Sequence, residues 1–251
     1  MVTIKNSKDI ERMREAGEIT ISAIEEVGKH IKPGVTTKYL DKIAHDYIIS
    51  RGAKPSFLHY QGFPASICAS VNDVVVHGIP SQAQVLKEGD IIGIDCGAVK
   101  NGFQGDAART FAVGKISSEK QKLIQVTEEC FWEAVKNLKE GSYLGDIGAS
   151  VQKHAEKHGY NVVRCMGGHG IGRKMHEDPY IPMYGTAGTG LKLKAGMTLA
   201  IEPMVNMGTW DMFLNGWDAR TKDGLPSSHY ENTVLITKDG VEILTKKSGG
   251  K

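Results

Sequence analysis

Apolar residues recur at three- and four-residue steps near the start of the chain. Ile10, Met13, Ile21, Ile24 and Val27 share one face and predict an amphipathic helix opened by Ser7. Residues 37–51 predict a second helix, with Leu40, Ile43, Ala44, Tyr47 and Ile48 inward and Gly52 as its stop. Ser118-x-x-Gln121 has the form of a capping box. It opens a third helix with Leu123, Thr127, Cys130, Phe131, Ala134 and Leu138 on one side. A fourth runs from about 144 to 158 and ends at Gly159. Between the helices the pattern changes to short apolar runs bounded by turn residues, IIGI at 91–94 and TLAI at 198–201, which predict strands.

The two halves of this pattern superpose at a single offset of 107 residues. IKPG (31–34) falls on LKEG (138–141), Gly52 on Gly159, and LKEGDIIGID (86–95) on LKAGMTLAIE (193–202). Shared turn chemistry alone does not explain three matches in one register. The chain therefore reads as two copies of a helix–helix–strand–strand unit, about 7–113 and 118–245, within one domain over 1–251. The offset places Asp95 on Glu202, each directly after an apolar strand. Two carboxylates at equivalent strand ends would face each other across a pseudo-twofold axis.

Asn101-Gly102 is a two-residue hairpin signal. That turn sets Lys100 opposite Phe103 and Gly97 opposite Asp106. Side chains alternate along a strand, so Asp106 is a diagonal neighbour of Asp95 on the same face. In the second half, SSHYENTVLIT (227–237) reads as the equivalent strand, with Glu231 in the place of Asp106. Four acids on four strands would repel one another unless positive charge lies among them. Arg109, Lys100 and the histidines are the basic candidates nearby. A pair of divalent ions bridged by carboxylates is the better neutraliser. An imidazole from His169 would complete a mixed N/O shell suited to first-row metals.

Composition narrows the field further. Net charge is +2, which gives no reason to expect nucleic acid or an anionic membrane as partner. No apolar run approaches the ~18 residues of a membrane span. The start, MVTIKNSKDIERMREAG, lacks the apolar core of a secretory signal. Cys68, Cys96, Cys130 and Cys165 are widely spaced and read as free thiols of a reducing, cytoplasmic compartment. Lys246, Lys247 and Lys251 form a weakly basic, solvated tail.

GGHGIGRKMHEDP (167–179) combines glycines with two histidines. Its G-x-G-x-G spacing differs from the dinucleotide fingerprint, and Tyr180 stands where an H-E-x-x-H motif needs its second histidine. The glycines instead read as letting backbone crowd a metal beside His169, with Glu177 and Asp178 as bystanders. Of the other histidines, His30, His45, His154 and His158 fall on helices as surface residues. His59 and His229 lie near the motifs without an assigned role.

Asp95 and Asp106 in IDCGAVKNGFQGD, His169 in GGHGIGR, Glu202 in AIEPMV and Glu231 in HYENTVLIT resemble the five-ligand signature of the methionine aminopeptidases. SKDIERMREAG and NDVVVHGIP are also similar, so the resemblance covers nearly the whole chain. It implies an α/β pita-bread fold, two pseudo-symmetric halves around a curved antiparallel sheet. The 33 residues from His169 to Glu202 leave no room for a helical insertion, and the form resembles the short bacterial type I.

The resemblance also implies roles. Two divalent ions, of cobalt, manganese, iron, zinc or nickel, would be held by Asp95, Asp106, His169, Glu202 and Glu231, and one would bind the substrate's free α-amino group. Glu202 would take the proton of the attacking water and pass it to the leaving amine. His77 and His176 would hydrogen-bond the substrate amide and the developing oxyanion. Phe57, Tyr60, Phe63, Cys68, Met175 and Trp217 would line the methionine pocket. Asn72, Val74 and Ser227 match positions that bind a monovalent cation, sodium or potassium, through backbone oxygens. The implied reaction removes the initiator methionine from peptides and nascent chains when the second residue is small. It suits a monomer in transient contact with the ribosome. Xaa-Pro aminopeptidases and dipeptidases share the five ligands and are the rival reading. A binding module that has lost its chemistry, or a nucleotide binder, is excluded less directly, by the intact ligand set and by the glycine spacing.

Overall fold

The computed structural model of the chain describes residues 2–247; residue 1 and residues 248–251, including Lys251 of the basic tail and both ends of the 1–251 span, lie outside the described residues. Four helices carry the predicted apolar faces: α1 (Ser7–Gly28), α2 (Thr37–Ser50), α3 (Ser118–Val135) and α4 (Leu144–Lys157). Two caps sit one residue earlier than expected. Asn6, not Ser7, caps α1, accepting from the Asp9 amide at 3.0 Å while the Asp9 carboxylate accepts from the Asn6 amide. Ser117, not Ser118, caps α3, accepting from the Lys120 amide. Each true cap has the extended backbone that aims its side chain back at the first turn. Leu138 lies beyond the end of α3 but is still buried.

The strands of the first half are β1 (Lys54–Pro55), β2 (Ile67–Val71), β3 (Val74–Val76), β4 (Ile91–Lys100) and β5 (Phe103–Ala112). Those of the second are β6 (Asn161–Val162), β7 (Gly167–Gly170), β8 (Glu177–Pro182), β9 (Thr198–Ile201), β10 (Met204–Asn206), β11 (Met212–Asn215), β12 (Asp218–Thr221), β13 (Ser227–His229), β14 (Glu231–Ile236) and β15 (Val241–Ile243). A nine-stranded antiparallel sheet runs β1-β4-β5-β14-β9-β7-β8, with β2 also on β4 and β15 also on β14. Two three-stranded sheets, β13-β10-β6 and β11-β12-β3, flank it. The hairpin at Asn101-Gly102 has the expected register, Lys100 opposite Phe103 and Gly97 opposite Asp106. The stretch 227–237 is not one strand. It breaks at Tyr230, so that β13 pairs with β10 while β14 pairs with β5 and β9.

The 107-residue offset recurs in the backbone. Helix α2 spans 37–50 and α4 spans 144–157. Isolated bridges join Thr36 to Val85 and Tyr143 to Lys192. Gly34 and Gly141, at φ 87° and 90°, donate to the carbonyls of Leu86 and Leu193. Such left-handed turns favour glycine, which has no Cβ to clash.

Each helix pair has its own core. Ile24, Val27, Leu40 and Ile48 pack against Ile92 and Ile94; Leu123, Phe131 and Val151 pack against Leu199, Val234 and Ile236. Strand alternation then consigns the residues between these apolar ones to the opposite face. On β4 that residue is Asp95, on β5 Asp106 and Ala108, and after β9 it is Glu202.

Candidate metal centre

The register brings five predicted residues together on that opposite face. Asp95 pairs across with Ala108, and Ala108 with Glu231, so these three lie in one row over β4, β5 and β14. Asp106 is two residues from Ala108 and shares its face. Asn232 pairs with Ile201, which puts Glu202 next to Glu231. His169 pairs with Ala200, two residues before Glu202. Five adjacent strands of the sheet order thus deliver one side chain each.

His169 Nε2 stands 3.7 Å from Asp106 Oδ2 and 3.7 Å from Glu202 Oε1. Those separations exceed a hydrogen bond. They lie within a few tenths of an ångström of the ~3.3–3.4 Å between two tetrahedral ligands ~2.0–2.1 Å from a common ion. His169 Nδ1 donates to the Gly170 carbonyl at 2.9 Å, which leaves the Nε2 lone pair directed at the acids. Asp95 Oδ1, Asp106 Oδ1 and Glu231 Oε1 are buried without a hydrogen-bond partner. Orphaned oxygens of this kind cost stability unless something fills their valence. The donor set and its unmet valence therefore fit divalent metal ions.

Electrostatics agree. Burial, joined by Glu202, lifts Asp95 to about 7, and burial lifts Glu202 to about 8. Burial, joined by Asp95 and Glu202, pushes Asp106 well above the carboxylate range, and burial, joined by Asp106, Glu202 and Asp95, does the same to Glu231. Burial, with His176 close by, drops His169 to about 4. Neither the Arg109 nor the Lys100 side chain hydrogen-bonds the clustered carboxylates. Arg109 lies on the core side, donating to the Glu231 carbonyl and Asn232 and stacking on Tyr230; Lys100 donates to the carbonyls of Arg51 and Gly52.

The acids floor a cavity of about 150 Å³. Phe57, Tyr60, Phe63, Cys68, Met175 and Trp217 all line it, as do His77 and His176. It opens into a broader groove of about 810 Å³ that shares His77, His169, His176 and Glu202. The Tyr60 hydroxyl lies 2.9 Å from His176 Nδ1, and the His169 and His176 rings are 4.2 Å apart. His77, at φ 62° after β3, sets its ring edge-on to Trp217. Burial, with His229 and His176 near, lowers it to about 4. Asn72 and Ser227 are joined by a backbone hydrogen bond of 2.9 Å, while Val74 begins β3.

His229 was left without a role by the sequence, yet it belongs here. It is 3% exposed, and its Nε2 lies 3.6 Å from Glu202 Oε2 and 3.9 Å from Glu231 Oε2 with no hydrogen-bond partner. The available signal was its place two residues before Glu231, on the same side of an extended chain. His59 does not line the cavity; it turns the chain ahead of the short 3-10 segment Tyr60–Gly62. The glycines of 167–179 also act differently from the expectation. A Cβ on Gly168 would sit 2.2 Å from the Ala200 carbonyl oxygen, and one on Gly170 would sit 2.1 Å from that of Asp178. They admit neighbouring strands, not a metal. Glu177 lines the outer groove and not the acid-floored cavity, paired with Lys5 at 2.6 Å.

Known proteins agree with this geometry. Residues 11–238 match Metallopeptidase family M24. A methionine aminopeptidase of Clostridium acetobutylicum is 54% identical over 98% of this chain and 99% of its own length. The crystal structure of the methionine aminopeptidase from Thermotoga maritima superposes with a TM-score of 0.97 at 45% identity, covering 98% of this chain and 100% of that one. A prolidase from Pyrococcus furiosus is more distant, with a TM-score of 0.80 at 26% identity over 98% of this chain and 66% of its own. The pita-bread fold implied by the sequence holds. A metallopeptidase takes divalent metal ions, for which the acidic cluster is the matching donor set. By the family match and these near-full-length likenesses, the chain belongs to metallopeptidase family M24 and, within it, to the methionine aminopeptidases.

Proposed function

We propose that this protein removes the N-terminal methionine from peptides and nascent chains, favouring a small second residue. The observation that carries the reading is the row of buried, unpartnered carboxylates at the floor of a cavity sized for one side chain. Asp95, Asp106, His169, Glu202 and Glu231 would hold two divalent ions; cobalt, manganese, iron, zinc and nickel all suit the N/O set. Such ions, when bound, acidify water and polarise a carbonyl. Glu202 receives the proton of the attacking water on its carboxylate and hands it to the leaving amine. The Tyr60 hydroxyl and His176 Nδ1 are 2.9 Å apart; in the tautomer where the hydroxyl donates, His176 Nε2–H is the donor toward the groove. With His77 it orients the scissile amide and meets the developing negative charge. Phe57, Tyr60, Phe63, Cys68, Met175 and Trp217 enclose the thioether side chain, and the wider groove takes the residues that follow. His229 positions Glu202 by facing its second oxygen.

The same proposal includes a single catalytic domain over 1–251 with repeats at about 7–113 and 118–245. It includes one sodium or potassium ion on the backbone oxygens of Asn72, Val74 and Ser227. It places the protein in the cytoplasm as a monomer that meets the ribosome transiently. The four unpaired cysteines suit that compartment, and among the described residues no helix is long and apolar enough to cross a membrane.

Incubation with Met-Ala-Ser and Ala-Pro peptides in the presence of each divalent ion, read by mass, tests the activity. Release of methionine from the first alone is the expected result. Cleavage of Ala-Pro alone would assign the protein to the Xaa-Pro enzymes instead.

A further inference from the structure

A second group of metal-ligating side chains lies outside the cavity, where α3 packs on α4. His154 lies in the last turn of α4 and His158 caps its C-terminus four residues later, while Glu129 projects from α3. His154 Nε2 is 2.9 Å from Glu129 Oε2, and the two imidazole centroids are 4.6 Å apart. One donor atom from each residue falls within 4.8 Å of the other two. None of the three lines the catalytic cavity or its groove.

The surroundings of these donors resemble those of metal ligands. His158 Nδ1 donates to the His154 carbonyl at 2.9 Å, which fixes the tautomer and leaves the Nε2 lone pair outward. Gln125 Nε2 donates to Glu129 Oε1 at 2.8 Å, so only Oε2 remains for another partner. The side chains are partly shielded, His154 17% exposed and Glu129 37% exposed. The repeat supplies an internal control. The positions 107 residues earlier are Ser22, Tyr47 and Arg51, which offer no comparable donor set. A packed helix pair of this fold therefore does not itself require two histidines and an acid here.

We infer that Glu129, His154 and His158 form a second metal site that binds one zinc-class divalent ion and ties α3 to α4. Two imidazoles and one carboxylate are a zinc donor set, with the fourth position left to water. The ion binds the neutral ring of His154 at Nε2, so the hydrogen that faced Glu129 is carried on Nδ1 instead, and Glu129 Oε2 turns from hydrogen-bond acceptor to metal ligand. The inference does not rest on the reading of the cavity.

Equilibrium dialysis of the full chain against zinc chloride, followed by elemental analysis, provides the test. The native chain should retain one more zinc equivalent than each of His154→Ala, His158→Gln and Glu129→Gln. Zinc should also raise the Tm of the native chain more than that of the variants. All four chains should cleave Met-Ala-Ser alike, which separates loss of this site from misfolding. Because the readout is a difference in zinc count, it stands even if the peptide assay fails. Equal zinc counts in all four chains would overturn the inference and leave the His154–Glu129 contact as an ion pair alone.

Discussion

Glu202 is bracketed by two histidines, His169 toward Oε1 and His229 toward Oε2. If His229 steadies the oxygen that His169 does not face, its role depends on a polar donor at that point. His229→Leu should lower kcat about tenfold or more while KM changes little. His229→Gln, which keeps a donor, should restore most of the rate; a leucine variant as active as the glutamine variant would remove the role. The acids themselves predict a pH effect in metal-free protein. A carboxyl whose pKa rises on folding keeps its proton longer in the folded chain, so stability falls as pH rises from the unfolded to the folded pKa. Asp95 at about 7 and Glu202 at about 8 span that window from roughly pH 4 upward. His77 and His169, lowered to about 4, act in the opposite sense up to roughly pH 6.5. Above that only the acids remain, so Tm of chelator-treated protein should fall between about pH 6.5 and 8. A rising Tm across that interval would contradict the buried acid cluster.

At the scale of elements, the site depends on registers that place alternate residues on one face. Strand β7 supplies His169 only because β8 and β9 can approach it on both sides. Gly168 and Gly170 permit that approach, and a methyl on either would strike a carbonyl oxygen. Gly168→Ala should cost about 1–3 kcal/mol in urea unfolding. A neutral result would mean that β7 can shift without loss. The same reasoning explains a partial reading of the sequence. The alternation around Asp95 and Asp106 was legible because a two-residue turn sets the register locally. The break at Tyr230 was not, because it arises from β13 and β14 choosing partners distant in sequence.

For the whole molecule, the five residues come from both halves, two from the first and three from the second, and meet where β5 pairs with β14. Metal bound there would hold the halves together as well as serve chemistry. A ligand that binds only the folded state at 100 times its Kd adds about 2.7 kcal/mol. Chelation should therefore lower Tm and resupply of divalent ion should restore it. A Tm indifferent to chelator would place the ions elsewhere or leave the site preformed without them.

Periodicity and turn residues determined the helices and the β4–β5 hairpin, because those signals act between residues close in the chain. The ligand candidates were legible through the repeat and a family resemblance, since acids at equivalent strand ends keep their spacing. Only the tertiary structure decided that Arg109 and Lys100 turn away, that the glycines serve strand contact, and that His229 enters the acid cluster. Each of these depends on which strands become neighbours. Burial of charge is likewise a property of the assembled sheet, and it gives ordinary acids their raised pKa values and their need for metal.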